Sequence, residues 1–556
     1  MIPFEAPVET ILFSLRHVAG AGRIPAWDDD LVQEVIRQFS RLAEGVVAPA
    51  DEAADREGCR LVDGRVHMPE GLVAAYAAFA EQGWPGLSIP EETGGQGMPA
   101  PVLGAVTEIF AGASHALQMI AGLVPGASRT LVDYGTPDQQ ERWLPRLASG
   151  EWLATMALTE PGAGSDLSGI RTRGEQGPDG WRISGEKIFI SGGDQDLTPR
   201  ILHLVLARTQ GAAGSTRGLS LFLVPSHDDA GERLPVTVTR IEEKMGLHGS
   251  PTCQMLFDGA PAELVGNEGE GLKAMFTMMN HARLDVALQG VAHATRATRI
   301  ATEYARGRRQ GKIAGETGPA MLASHPDVQR MLDEAEAIAI AGRALCHVAL
   351  VELELQEAPE LVDFLTPVCK FACTEGGVAA ANLAIQVLGG YGYLREYRVE
   401  QILRDVRITA IYEGANGIHA LTLATRLLRH DGGSAANAFA RFVGSAGADD
   451  ALSLWQQART RMLAAEDPAP AADAFMRLTV ETAYAAIWRR LAKVADHAPD
   501  PTRLRALAAR QAMFLPSSLR HKAEIIAMIL ERNGAASGFD RKEEGYCLHG
   551  MLAADL

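Results

Sequence analysis

The chain has 556 residues, 47% hydrophobic and 22% charged, enough to bury several cores and too apolar for an extended disordered polymer. Its 52 Lys and Arg stand against 69 Asp and Glu, and the net charge of −17 repels nucleic-acid backbones and anionic membranes as general partners. Six cysteines with no C-x-x-C pair exclude a disulfide scaffold, a zinc ribbon and a thioredoxin-type site, so a reduced cytoplasmic setting is expected and no metal site is read.

The first residues, Met1–Glu5, lack the basic and apolar regions of a signal peptide. Asp28, Asp29 and Asp30 offer helix caps, and Leu31, Val32, Val35, Ile36, Phe39, Leu42, Ala43 and Val46 follow at helical spacing. The longest uncharged stretch, Ile109–Ser128, holds His115, Gln118 and Pro125 and reads as a buried helix rather than a membrane span. Helical patterns continue to about Leu147. The period then changes. Trp181–Ile190, Ile201–Leu206, Leu219–Val224 and Val236–Ile241 read as strands with no helix between them, which predicts an antiparallel sheet or barrel.

Helical spacing returns over Met275–Arg308 and Asp327–Glu357 and runs to about Arg429. His430–Ser434 reads as a linker into an Ala-rich helical segment, with stretches at Ala448–Ala465, Ala472–Ala495 and Leu504–Phe514 and breaks at prolines that include Pro516. The expected fold class is α+β. A helical domain (1–153) precedes a middle β-domain (154–267) and a helical bundle (268–430), and a further helical domain (435–556) is appended.

The densest local motif is Met156-Ala-Leu-Thr-Glu-Pro-Gly-Ala-Gly-Ser-Asp166. Gly162 and Gly164 let a ligand approach the backbone, while Thr159 and Ser165 supply hydroxyls. A Rossmann fingerprint would need glycine where Leu167 stands, so that reading fails. In chain order the motif is followed by Lys187-Ile-Phe-Ile-Ser-Gly192, Glu243–Cys253, Asn280-His-Ala-Arg283, Tyr304-Ala-Arg-Gly-Arg308, Gln386-Val-Leu-Gly-Gly390 and Arg404–Ile418 with Tyr412-Glu413-Gly414.

Together these segments resemble the acyl-CoA dehydrogenase family, whose helix–β–helix order is the one read above. The N-terminus and the extension past 430 resemble its long subgroup, which includes 3-methylmercaptopropionyl-CoA dehydrogenase. The resemblance implies FAD as cofactor, contacted by Met156, Leu158, Thr159, Gly164, Ser165, Phe189, Ser191, Ala415 and Gly417. It implies that Arg308, Gln386, Gly389 and Gly390 reach the flavin of a neighbouring subunit, hence a homodimer, and that Ser165, Asn280, Arg283 and Gly414 meet the acyl-CoA. Glu413 is implied as the base that takes the α-proton, before hydride transfer to flavin N5 and onward electron transfer to an electron-transferring flavoprotein. Ala282 stands where some members carry the base on the earlier helix and cannot serve. His248 replaces the usual Arg, Ala415 the usual Thr, and Asn416-Gly417 a common Ala-Gln pair. An acyl-CoA oxidase and a flavin-containing DNA-associated protein of this fold are the other readings. The second would need a basic face among cations such as Arg459, Arg461, Arg503, Arg505, Arg510 and Lys522.

Overall fold

The computed structural model describes residues 2–209, 214–314 and 317–536, with only the backbone described at 280, 281 and 533–536. Two compact units emerge. One holds the chain up to Ser40, Pro99–Gly112 and the chain from Arg283 onward; the other holds Arg41–Met98 and Ala113–Ala282.

In the first unit the helix Asp29–Leu42 starts where expected. The Asp28 carboxylate accepts the amides of Asp30 (3.1 Å) and Leu31 (3.0 Å), filling orphan donors of the first turn. Val32, Ile36 and Phe39 are buried, whereas Leu31 and Val46 of the expected apolar face are exposed. At the start of the second unit a wide π turn over Ala43–Val47 adds a residue, advances the phase by one position and turns Val47 inward in place of Val46.

The helices Gly271–Gly307, Pro326–Leu355 and Pro359–Leu388 build the bundle. Gln356, in the left-handed region (φ 53°), ends the second of these and leads within a few residues into the third. The first and third touch backbone to backbone. A Cβ on Gly290 would stand 2.3 Å from the Cys373 carbonyl oxygen, and one on Gly377 would stand 2.7 Å from the Gly290 oxygen, so only glycine fits at either position. This contact fixes the two helices that carry Arg283 and Lys370.

The helices after Ser434 share the same core. Phe364 stacks on Phe439 (ring centroids 4.7 Å apart), Phe439 meets Trp455 edge-on (5.0 Å), and Trp455 donates its indole N–H to Thr479 (2.9 Å). The last described helix, Pro501–Ala536, runs through Pro516 instead of stopping there. Proline deprives the Ala512 carbonyl of its partner, but both residues are exposed, so water replaces that bond. Buried Leu504, Leu507, Leu519 and Ile526 hold the helix on either side of the break.

In the second unit a hairpin, β1 (Arg60–Val62) and β2 (Arg65–His67), interrupts the expected helical run. Its turn is Asp63-Gly64, both at positive φ, a hairpin signal written in the sequence. The main sheet comprises β3 (Trp152–Ala157), β4 (Arg173–Gly177), β5 (Gly180–Ser191), β6 (Arg200–Thr209), β7 (Leu219–Pro225), β8 (Val236–Ile241) and β9 (Thr252–Val265). Its order is β3-β6-β4-β5-β9-β7, and β7 also pairs with β6, closing five strands into a ring. Most pairings are antiparallel as expected. β6, however, runs parallel to both β3 and β4, because the β4–β5 hairpin is inserted between them in the chain. β7 is buried along its full length and β6 almost so, which explains their unbroken apolar runs.

Candidate active site

In the bundle unit, Glu413 sits on the turn between two short helical segments, Arg407–Ala410 and Asn416–Thr422, at φ 52°. A non-glycine residue in the left-handed region is strained and persists only where its surroundings over-determine it. They do so here. Lys370 Nζ donates to the Gly414 carbonyl (2.7 Å) and to Asn416 Oδ1 (2.9 Å), and His419 Nε2 bonds the Glu413 carbonyl (3.1 Å). Asn416 in turn donates to Thr374 (3.0 Å) and Glu375 (2.9 Å), anchoring the turn to the helix Pro359–Leu388.

Glu413 keeps part of its surface accessible, but protein surrounds the carboxyl and burial pushes its pKa up to about 6. Arg283 and then Lys370 pull it back, so the group is an ionised base at neutral pH and a stronger one than an exposed glutamate. Among the described residues the Glu413 amide N–H bonds to no acceptor, and it is free to donate to a ligand. Burial also draws Lys370 down to about 7. Arg283, burial-lowered with Glu413 pulling the other way, lies on the helix Gly271–Gly307, and the Asn280 side chain lies outside the described residues. Gly414 (φ 91°) follows Glu413, and Ala415 opens the helix that contains Gly417.

Lys370 was not singled out by sequence, where a lysine inside an apolar helix reads as an ordinary outlier. As a positioning residue it is expected to matter: Lys370→Met should lower kcat by about 10²-fold through a misplaced carboxylate. Because the Lys370 cation pulls the Glu413 pKa down, its removal should also move the acid limb of the pH–rate profile to higher pH. A profile whose limb stays in place would assign Lys370 to folding alone.

In the same unit Arg308, Gly389 and Gly390 line an open groove of about 480 Å³, together with Tyr304, Tyr391 and Leu394. Arg308 stands over the Tyr391 ring (5.1 Å) and the Tyr304 ring (5.9 Å), and its Nε donates to Gln310 (3.3 Å). Gln386 is exposed on the preceding helix, and Gly389 adopts φ 61° and ψ −137°, a glycine conformation. Beyond residue 434 Arg459 donates to Asn437 (2.8 Å), and the other named cations meet carboxylates. Arg503 pairs with Asp333 and Glu336, Arg510 with Asp333, Lys522 with Glu481, Arg461 with Glu531, and Arg505 with Asp496.

In the second unit the loop after β3 is shaped by Glu160. Its backbone pairs with Ala163 in both directions (3.0 Å each), and its carboxylate accepts the amides of Arg171 (2.7 Å) and Thr172 (3.0 Å) and Lys187 Nζ (2.8 Å). Lys187 is fully buried and also donates to the Leu158 carbonyl (2.8 Å). Burial works against charge on both partners, but Lys187 and the two amides hold the Glu160 carboxyl below its usual range. Lys187 falls to about 8 and remains a cation at neutral pH. The pair ties β5 to the loop and leaves Gly164 and Ser165 exposed, with Met156 and Thr159 half-buried and Leu158 buried. An added Cβ on Gly162 or Gly164 meets nothing within 4 Å.

Phe189, at φ 59° on a β5–β9 bulge, leaves its ring 60% exposed, and Ser191 is half-buried two residues on. Open glycines beside an exposed aromatic ring suit a large planar ligand, so these residues fit a flavin. His248, in place of an arginine, bonds Asp55 (2.9 Å) and the Lys244 carbonyl (2.9 Å) and thereby pins the loop that precedes β9. Among the described residues no cluster of His, Cys, Asp or Glu could hold a metal ion. Among the described residues two helices, Ala100–Ala121 and the stretch Pro359–Tyr393, are long and apolar enough to cross a membrane by composition, and both are more than half buried.

A helical bundle that carries a largely buried carboxylate, on a chain with a closed sheet and an open glycine loop beside an exposed aromatic ring, is an arrangement that suits a flavin-dependent oxidoreductase. Residues 29–151, 155–260 and 269–428 match the N-terminal, middle and C-terminal domains of acyl-CoA dehydrogenase. The chain belongs to the acyl-CoA dehydrogenase family, whose cofactor is FAD. It is 40% identical over 463 residues to the 3-methylmercaptopropionyl-CoA dehydrogenase of Ruegeria pomeroyi, covering 79% of each chain. To the broad-specificity linear acyl-CoA dehydrogenase FadE5 of Mycobacterium tuberculosis it is 36% identical over 472 residues, covering 78% of this chain and 77% of that one. Its fold superposes with a TM-score of 0.75 and 20% identity on an acyl-CoA dehydrogenase of Bacillus anthracis complexed with FAD, covering 96% and 94% of the two chains.

Proposed function

We propose that this chain oxidises an acyl-CoA thioester to its trans-2-enoyl-CoA, with Glu413 as the base. The observation that carries the reading is Glu413 itself, a carboxylate in a strained turn with its pKa pushed up to about 6, and a free amide N–H on the same residue. The carboxylate takes the α-proton, and its own N–H donates to the thioester oxygen, stabilising the charge that develops there. Arg283 and Lys370 keep the carboxylate ionised between turnovers and shield the negative charge that passes to the substrate. FAD, when bound, accepts the β-hydride.

In the sheet unit Met156, Leu158, Thr159, Gly164, Ser165, Phe189 and Ser191 would contact the flavin. In the bundle unit Arg283 and Gly414 would contact the acyl-CoA. The groove at Arg308 and Gly389 would take the pyrophosphate and adenine side of a second subunit's FAD, with Gln386 beside it, because a guanidinium fork pairs with phosphate oxygens in bidentate fashion. The working assembly on this reading is a homodimer in the cytoplasm that passes its electrons to an electron-transferring flavoprotein.

The test is anaerobic bleaching of the bound flavin by a panel of acyl-CoAs, with enoyl-CoA as the product; no bleaching by any of them would overturn the proposal. Assembly has its own test. Arg308→Ala should release FAD without altering the fold, and light scattering should find two chains per particle. A monomer that retains FAD would contradict the shared site.

A further inference from the structure

The helix that supplies Arg283 continues as Leu284, Asp285, Val286, Ala287, Leu288 and Gln289, so Asp285 and Gln289 lie one turn apart on the same helix face. That face looks onto the base turn, since Tyr412, the residue before Glu413, donates its phenol to the Gln289 carbonyl oxygen. The Asp285 charge is felt at the same phenol, where it opposes ionisation of Tyr412. Gln289 and Tyr412 therefore satisfy each other, and Asp285 stands beside them.

Among the described residues the Asp285 carboxyl has neither a hydrogen-bond donor nor a cation as partner. The residue keeps part of its surface accessible, while burial alone pushes its carboxyl up to about 7. An enclosed carboxyl without a partner is costly, and an apolar residue would avoid that cost in a channel built only for a hydrocarbon chain. A carboxyl left without a partner beside the turn of Glu413 is accounted for by a ligand that supplies the missing donor.

The state of the carboxyl narrows the ligand. A second carboxylate on the acyl group would meet Asp285 as a like charge once it ionises. A cationic acyl group would bond only the ionised form, which burial disfavours. A neutral hydroxyl or amide N–H meets neither objection and bonds the carboxyl in either protonation state.

We propose that Asp285, supported by Gln289 and Tyr412, is a specificity-determining residue that recognises acyl-CoAs whose acyl group bears a neutral hydrogen-bond donor such as a hydroxyl. The proposal rests on the reading of Glu413 as the base, which places the acyl chain beside this face. A hydroxyl bonded here satisfies the carboxyl, whereas an unsubstituted chain buries it unpaired, so discrimination comes as much from rejecting the plain chain as from binding the polar one.

The probes are S-alkyl-CoA thioethers, which lack the thioester carbonyl and are not oxidised. Butyl, pentyl and hexyl forms are each compared with the terminally hydroxylated analogue, and binding to the FAD-loaded enzyme is read by calorimetry. For at least one length the parent enzyme should bind the hydroxylated analogue about 10- to 100-fold more tightly than the plain one. Asp285→Val should reverse that order, and the isosteric Asp285→Asn should weaken the preference several-fold while keeping its direction. Equal or tighter binding of every plain thioether by the parent enzyme overturns the proposal, whether or not the variants fold. So does a hydroxyl preference that survives in Asp285→Val. Dye-linked oxidation of butyryl- and hexanoyl-CoA and their hydroxylated counterparts is measured in parallel. Absence of all turnover with the binding preference intact would overturn the dehydrogenase reading and leave the recognition role of Asp285 standing.

Discussion

Glu413→Gln should retain FAD and lose turnover by about 10²–10⁴-fold, read as the rate of anaerobic flavin bleaching in a single turnover. Glutamine keeps the shape and volume of the side chain and removes only the proton acceptor, and Ala282 offers no substitute on the facing helix. The parent enzyme should gain activity as pH rises through about 6, because the base works in its ionised form and burial has raised its pKa to that value. The same shift makes a second, opposite prediction. A folded-state pKa above the unfolded 4.5 means that the folded protein binds more protons between about 4.5 and 6, so stability falls with rising pH across that window and the deficit persists above it. Glu413→Gln removes the deficit and should stabilise the protein by about 2 kcal/mol at neutral pH. Bleaching within a few-fold of the parent rate would show that the base is another carboxylate.

Lys187→Met should destabilise the protein by about 3–5 kcal/mol and release its FAD. Lys187 is fully buried and Glu160 is 6% exposed, so deleting the cation strands a carboxylate where water cannot reach it. The two amides that Glu160 accepts would remain, but the Leu158 carbonyl and one Glu160 oxygen would lose their donor. The loop from Leu158 to Asp166 would loosen with them. Thermal unfolding and FAD retention on gel filtration check both effects. The double variant Lys187→Met/Glu160→Gln should recover much of the loss, since it buries no unpaired charge. A single variant that melts within about 1 kcal/mol of the parent would show that the loop is held by other contacts.

The helix–β–helix order could be read from hydrophobic spacing, because long amphipathic helices and isolated apolar strands impose periods of 3.6 and 2 on the chain itself. Local signals sufficed for the Asp28 cap and for the runs that became β6 and β7, whereas the equally local Asp63-Gly64 hairpin turn was masked by the helical spacing on either side of it. The Tyr412-Glu413-Gly414 run could likewise be picked out as a candidate base by its resemblance to a family segment.

Other features depend on groups far apart in the chain, and no window of sequence contains them. The parallel pairing of β6 with β3 and β4 follows from where the β4–β5 hairpin is inserted. The passage of the last helix through Pro516 is decided by water at the Ala512 carbonyl and by packing on both sides of the break. The Glu160–Lys187 pair joins residues 27 positions apart, and Lys370 reaches the base turn across 44. What the sequence determined by itself was the set of elements and the identity of the groups able to do chemistry. Tertiary structure decided their chemical state, because a carboxylate's pKa depends on the solvent it loses and the charges brought near it. Glu413 became a carboxyl with its pKa raised to about 6, and Asp285 a carboxyl without a partner, only once the helices carrying Arg283 and Lys370 had packed at Gly290 and Gly377.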